Sequence, residues 1–293
     1  FSAVFLALGI MVSIRGFLNG LQATLRESVV QGQTGALQVH KAGFLKSVNA
    51  TLEMSIPSDA AFLAKIAAVP GVKSVTARIM FGGMTNANDT STAALFNAMD
   101  PVNELIVCPR RNEMIAKGKS LQQSSAASAV LSAELAGSLG VKLGQRATLL
   151  TNDKDGVMNA LDFDFVGEYG QPGLPLADKK LGFVPLRFAQ ELLRMEGRAT
   201  EIAVSVANFE DAERIKPKLQ AALGPEYEVA TWHDVASYID DAIATQNFIL
   251  NIIAGVFLFV ALLGIANTML MSVLERTREI GTMMSVGVRR RQI

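Results

Sequence analysis

The chain has 293 residues, half of them hydrophobic, and 27 Lys plus Arg balance 27 Asp plus Glu. That balance supplies no global field for nucleic acid or an acidic substrate, and a single cysteine, Cys108, excludes an internal disulfide. The mean hydropathy of +0.30 is high for a soluble chain, and it is unevenly spread: charges fill the middle and apolar runs fill the ends.

The chain opens inside an apolar stretch, Phe1–Ile14, with no initiator Met and no basic region before it. A spanning helix needs about 20 residues, so this stretch reads as the outer half of one, and both chain ends read as cut points. After Arg15, the residues Phe17, Leu21, Leu25 and Val29 recur at four-residue spacing among Gln22, Arg26 and Glu27. That stripe predicts an amphipathic extension, so residues 1–34 form a partial transmembrane helix and a stalk.

Residues 35–230 alternate short strands and helices. Leu37–His40 reads as a strand, and Ser58 as the cap of a helix whose Phe62 and Ile66 face inward. Pro70-Gly71 ends it. Val75, Ala77, Ile79 and Phe81 then alternate as a half-buried strand, with Ala93–Met99 as its partner. Val130-Leu131 leads into a helix over Ala133–Leu139 stopped by Gly140. The turn Asn152–Gly156 joins Ala147–Leu150 to Phe163–Val166 as a hairpin. Gly182–Leu186 and Glu201–Val206 are strands around a helix over Phe188–Met195. Asn208 caps a helix to Leu223, and Tyr227–Ala230 returns as a strand. The pattern predicts an α+β domain of two subdomains, the first unit pairing with the last.

Residues 231–247 form a second stalk helix, with Val235, Ile239 and Ile243 as its stripe. From Ala242 to Leu274 no ionisable residue occurs, and residues 248–274 are long enough to cross the hydrocarbon core. Asn251, Gly264, Asn267 and Thr268 mark the face expected to pack on other helices. Arg276, Arg278, Arg289, Arg290 and Arg291 follow against Glu275 and Glu279, and basic excess beside a membrane helix marks the cytoplasmic side. The fold class expected is therefore an α+β extracytoplasmic domain flanked by transmembrane helices with stalk extensions.

Chemistry has little to stand on. Lys117-Gly118-Lys119-Ser120 resembles the end of a phosphate loop, but Glu113 replaces the glycine that opens it. His40 and His233 lack metal-site spacing, and no serine lies in a nucleophile elbow. No catalytic residue, metal or cofactor is expected.

Residues 275–293 carry the most specific signal. Glu275-Arg-Thr-Arg-Glu-Ile-Gly281, followed by Ser285-Val-Gly287-Val-Arg-Arg-Arg-Gln-Ile293, closely resembles the signature of the FtsX-like permeases, which include the lipoprotein-releasing LolC/LolE subunits and the MacB-type exporters. Val69-Pro-Gly-Val72, Asp100-Pro101, the run from Leu131 to Gly144, Phe165-Val-Gly-Glu168 and Thr231-Trp232 resemble that family's MacB-like periplasmic core. The resemblance implies an inner-membrane, multi-pass, non-catalytic ABC-transporter permease subunit with a large periplasmic domain. It implies a cytoplasmic ATPase as partner, a second permease subunit, membrane lipid around the helices and a periplasmic lipoprotein carrier. Segment 275–293 would be the coupling helix on the ATPase, its contacts carried by Glu275, Arg276, Arg278 and Glu279. Gly281 and Gly287 would bend the chain there. Lipoprotein release is the expected function. Export of a peptide, toxin or antibiotic, and signalling to cell-wall hydrolases, are the alternatives. Ser285 stands where the family has Ala, and the connection Asn152–Ala160 is shorter than the carrier-engaging hairpin of one lipoprotein-releasing subunit.

Overall fold

The computed structural model describes residues 2–47, 52–170 and 180–287. The chain divides into two compact units, Thr24–Ser237 and the pair Phe1–Ala23 with Tyr238–Ile293.

Helix α1 (Ser2–Val29) ends in the first of these and passes into a π-turn, Val30–Thr34, closed by the Gly35 amide donating to the Val30 carbonyl at 2.9 Å. Gly35 has φ +73°, a left-handed conformation in which a side chain would be strained. Next come β1 (Leu37–Lys41), β2 (Ile56–Pro57) and α2 (Ala60–Ala67). The cap of α2 is Asp59, not Ser58. Its carboxylate accepts from the Phe62 amide at 2.7 Å, the geometry an N-cap requires. Strands β3 (Val72–Ala87) and β4 (Thr90–Met99) form a long hairpin. It turns on Asn88 and Asp89, both at positive φ, as a two-residue loop demands.

Then follow α3 (Glu104–Val107), a 3₁₀ turn (Pro109–Met114), β5 (Ile115–Gly118), β6 (Ser128–Ser132) and α4 (Ala133–Leu139). Ser132 caps α4 by accepting from the Leu135 amide, and Gly140 ends it in the left-handed region. Strands β7 (Arg146–Asn152) and β8 (Met158–Tyr169) are the expected hairpin. The turn between them is organised by Asp153, whose carboxylate accepts from the amides of Asp155 and Val157. The unit continues through β9 (Leu181–Pro185), α5 (Leu186–Leu193), β10 (Arg198–Ala199), β11 (Glu201–Val206), α6 (Ala212–Leu223), β12 (Tyr227–Thr231) and α7 (Trp232–Val235). Asn208 caps a short 3₁₀ turn that precedes α6 rather than α6 itself.

The large sheet runs β12-β1-β11-β3-β4-β9-β6-β8-β5, and β7 bridges β3 and β8. The expected pairing of first and last units is present, since β1 lies between β11 and β12. Pairings β3–β4, β4–β9, β9–β6, β6–β8, β8–β7 and β7–β3 return to their starting strand. Six strands thus close a circuit without a free edge, which removes the exposed backbone that invites aggregation.

The two largest hydrophobic clusters among the described residues sit on this one sheet. One gathers Phe96, Leu131, Leu149, Phe163 and Phe165 from the closed circuit with Leu135 of α4 and Phe188 of α5. The other gathers Leu37, Val204 and Val229 with Ile66 of α2, Leu219 of α6 and Trp232. Each fully buried Leu or Phe contributes about 1.5–3 kcal/mol. The sixteen residues of β3 reach both cores, with Ile79 in the first and Val75 against the second, so the two halves share a strand. β3 is also more enclosed than its alternation suggests: Thr76 and Arg78, read as outward, are buried too.

Close packing at Gly182 gives a sharp test. A Cβ built there would lie 2.3 Å from the Phe96 ring, itself fully buried. Gly182→Ala is expected to destabilise the unit by about 1–3 kcal/mol, read as a lower urea midpoint, because the ring has no free volume to retreat into.

Candidate functional site: the apolar helix and the segment after it

Helix α8 spans Ser237–Glu275, 39 residues. Among the described residues it is the one helix long and apolar enough to cross a membrane, with an 18-residue stretch of mean hydropathy 2.7. None of that stretch is buried by the rest of the chain. Apolar side chains such as Phe257, Phe259 and Leu263 therefore require lipid or other helices as cover.

The four residues expected on its packing face separate into two groups. Gly264, Asn267 and Thr268 lie on one exposed face at three- and four-residue spacing, and the Thr268 hydroxyl donates to the Gly264 carbonyl at 2.9 Å. Asn251, more than three turns earlier, already has a partner: its side-chain oxygen accepts from the Arg15 guanidinium of α1. One helical stretch below, Gln22 donates to Gln246 at 3.3 Å and to Asn247 at 3.4 Å. Polar contacts thus join α1 and α8; of the expected apolar stripes, Ile239 and Ile243 of the second and Val29 of the first are buried. Phe17, a member of that stripe, is 72% exposed. Arg15 and Gln22 prefer the polar groups of α8 because an amide or guanidinium facing an apolar helix would lose its hydrogen bonds.

At Arg276 the helix breaks. Its φ of −98° and ψ of 8° lie outside the helical region, and α9 (Thr277–Ser285) starts afresh, with the Thr277 hydroxyl donating to the Leu274 carbonyl at 2.7 Å. The expected bend at Gly281 is absent, for that residue is internal to α9. Gly287 carries φ +94° just past the helix, where a left-handed residue is wanted. Glu275, Arg276, Arg278 and Glu279 are all exposed, and among the described residues none has an ion-pair partner. Arg289, Arg290 and Arg291 lie outside the described residues.

A second polar constellation gave no signal in the sequence. Arg78 of β3 is fully buried and grips Glu104 of α3 with two bonds, Nε to Oε2 at 3.0 Å and Nη2 to Oε1 at 2.7 Å. Its Nη1 donates to Glu201 of β11 at 2.7 Å, and Nη2 also reaches the Cys108 sulfur at 3.1 Å. Arg111 brings its Nε within 2.9 Å of Glu104 Oε1, close enough for an ion pair though not aligned as a hydrogen bond. The Arg111 Nη2 donates to the Gln33 carbonyl at 2.8 Å, and its guanidinium lies over the Phe183 ring at 5.4 Å. Two cations thus meet two anions, and the buried charge closes to zero. Burial alone would lower the Arg78 pKa and raise that of Glu104. The opposing charges win in both cases, pushing Arg78 well above its usual value and Glu104 below. Burial pushes the Cys108 thiol up, which keeps it neutral.

An α+β unit, an exposed apolar helix of spanning length and a short charged helix after a sharp break are together the pattern of a membrane-anchored class of protein. Two family models place the chain within it: a MacB-like periplasmic core domain matches residues 1–222, and an FtsX-like permease C-terminal domain matches residues 251–293. The chain belongs to this MacB/FtsX-type family of ABC-transporter permeases. It is 33% identical over 146 residues to the macrolide export ATP-binding/permease protein MacB of Azoarcus sp. (strain BH72), covering 47% of this chain and 22% of that protein. An uncharacterised ABC transporter permease of Methanocaldococcus jannaschii is 28% identical over 130 residues, covering 43% and 32%. The chain therefore matches less than a third of the length of either relative. The crystal structure of the periplasmic region of MacB from Actinobacillus actinomycetemcomitans is similar with a TM-score of 0.48 and 13% identity, over 73% of this chain and 95% of that one.

Proposed function

We propose that this chain is the permease part of an ABC transporter of the inner membrane, which converts ATP hydrolysis by a partner into shape change of its periplasmic domain. In that reading residues 1–34 are a partial transmembrane helix and stalk, residues 35–230 the periplasmic core, residues 231–247 the second stalk helix, residues 248–274 the span and residues 275–293 the coupling segment. The observation that carries it is the end of α8, where an apolar helix breaks at Arg276 and delivers the short helix α9 with Arg278 and Glu279 free of ion pairs among the described residues. Unpartnered charges on a rigid, exposed helix can form charge-assisted bonds to a protein surface, and the FtsX-like match covers this stretch.

The partner is an ATPase, as the printed name of the Azoarcus relative supports, and a second permease copy would cover the Gly264, Asn267 and Thr268 face. MacB-like export, of a macrolide in the printed name of the Azoarcus relative and of a peptide, toxin or antibiotic here, is the transport reading that relative favours. The short β7–β8 connection agrees with it. Lipoprotein release through a carrier, the expectation from the sequence, has no counterpart among the relatives named above. Loss of efflux without lipoprotein mislocalisation in a depleted strain separates the two.

Arg276→Ala with Arg278→Ala and Glu279→Ala is expected to abolish co-purification of the ABC ATPase subunit that serves this permease, while membrane integration is kept. Undiminished co-purification would remove the coupling role.

A further inference from the structure

The buried charge cluster does more than fill a core, because one of its members holds the end of α1. The π-turn Val30–Thr34 is attached to the segment 104–114 at three points. Arg111 donates to the Gln33 carbonyl at 2.8 Å, the Cys108 thiol reaches the Val30 carbonyl at 3.6 Å, and the Met114 side chain packs where a Cβ on Gly32 would stand. The same segment is attached to the sheet by the two-bond grip of Glu104 on Arg78, and Arg78 passes the link on to Glu201 of β11. A wide π-turn is a weak point in a helix and recurs at functional positions. Here it is fastened to a segment of eleven residues that is itself riveted to β3 by paired charges, beside the packing of Val30 in the core around Trp232 and the bond from Gln38 Nε2 to the Thr34 carbonyl at 3.0 Å.

We propose that residues 104–114 act as a buckle, with Glu104 and Arg111 as its positioning residues, which fixes the end of α1 to strands β3 and β11. Movement of α1 then reaches β3 through this buckle, in addition to the backbone path through Ala36, whose amide donates to the Val204 carbonyl of β11 at 2.9 Å. A buried ion pair suits that task better than apolar packing, because slippage of either partner leaves an uncompensated charge out of water. An apolar contact such as Met114 on Gly32 can slide. This inference concerns a joint inside one folded unit and stands apart from the identity of any transported substrate.

The test is amide hydrogen exchange on the full chain in detergent micelles. Glu104→Gln keeps the shape and leaves two cations against one anion. It is expected to speed exchange of residues 30–36 and 104–114 by about tenfold or more through local opening, while β6 and β8 in the closed circuit exchange at the parent rate. Should that variant fail to accumulate, Met114→Ala removes the packing on Gly32 together with the contact of the Tyr169 hydroxyl on its sulfur, and is expected to speed residues 30–36 by about threefold. Unchanged exchange at residues 30–36, or acceleration spread evenly over the sheet, would overturn the buckle.

Discussion

Replacing Arg78 with alanine is expected to destabilise the Thr24–Ser237 unit by about 3–5 kcal/mol, because Glu104 and Glu201 would be left buried with too little positive charge. The measurement is urea unfolding followed through Trp232, the single tryptophan, which is buried in the core built on β1, β11 and β12. A fourfold replacement, Arg78→Met and Arg111→Met with Glu104→Leu and Glu201→Leu, is expected to recover most of that loss, since removing the whole set leaves no unpaired charge. The pH dependence has a defined sign. Glu104 has a folded pKa below its unfolded value, near 4.3 for a free glutamate, so its contribution is complete above that value. The contribution is lost as pH falls through the lower folded value. Glu104→Gln should therefore be less stable than the parent at pH 7, with the gap closing below about pH 4. A single alanine at Arg78 that left the midpoint unmoved would show that the cluster carries no net energy.

Leu263→Arg is expected to prevent stable integration of α8. A basic residue at the centre of a spanning helix costs about 2.5–3.5 kcal/mol in membrane insertion. Leu263 lies in the middle of the apolar run, 54% exposed to whatever surrounds the helix, with no acidic side chain from Ala242 to Leu274 to neutralise it. Alkaline extraction of membranes should move the variant from the pellet to the supernatant, and protease added to intact cells should no longer discriminate residues before α8 from those after it. Leu270→Ala at the same depth of exposure should extract like the parent, since it adds no charge. An integrated Leu263→Arg chain would mean that the helix is covered by protein rather than lipid at that depth.

The two experiments probe different physics. Arg78 is held by desolvated charges that only a folded sheet can bring together, and Leu263 by the absence of water around a helix already complete in itself. Failure of the first would change the account of how the Thr24–Ser237 unit is braced, while failure of the second would remove the membrane from the proposed function.

Much of the architecture could be read because it rests on local physics. The apolar run of α8 needs no partner to declare itself, since its backbone bonds are internal and its side chains match a hydrocarbon medium. Helix α4 shows its ends in Ser132 and Gly140, and the β7–β8 hairpin shows its turn in Asn152–Gly156. The charged segment after Leu274 was legible as a motif, although the break that exposes it falls at Arg276 rather than at a glycine.

Other features were set by contacts between distant residues. Arg78 alternates with Ala77 and Ile79 as an outward residue of a strand should, yet it is buried because Glu104, 26 positions later, and Glu201, 123 positions later, fold over it. The closure of six strands depends on β7 reaching back to β3 in a register where Met84 faces Leu150. Nothing within either strand encodes that register. Periodicity, caps and turns are properties of a few neighbouring residues, and the sequence alone determined them here. Which buried charges neutralise one another, and which strand closes a sheet, are properties of the whole packed chain, decided when desolvation made every unpaired group costly.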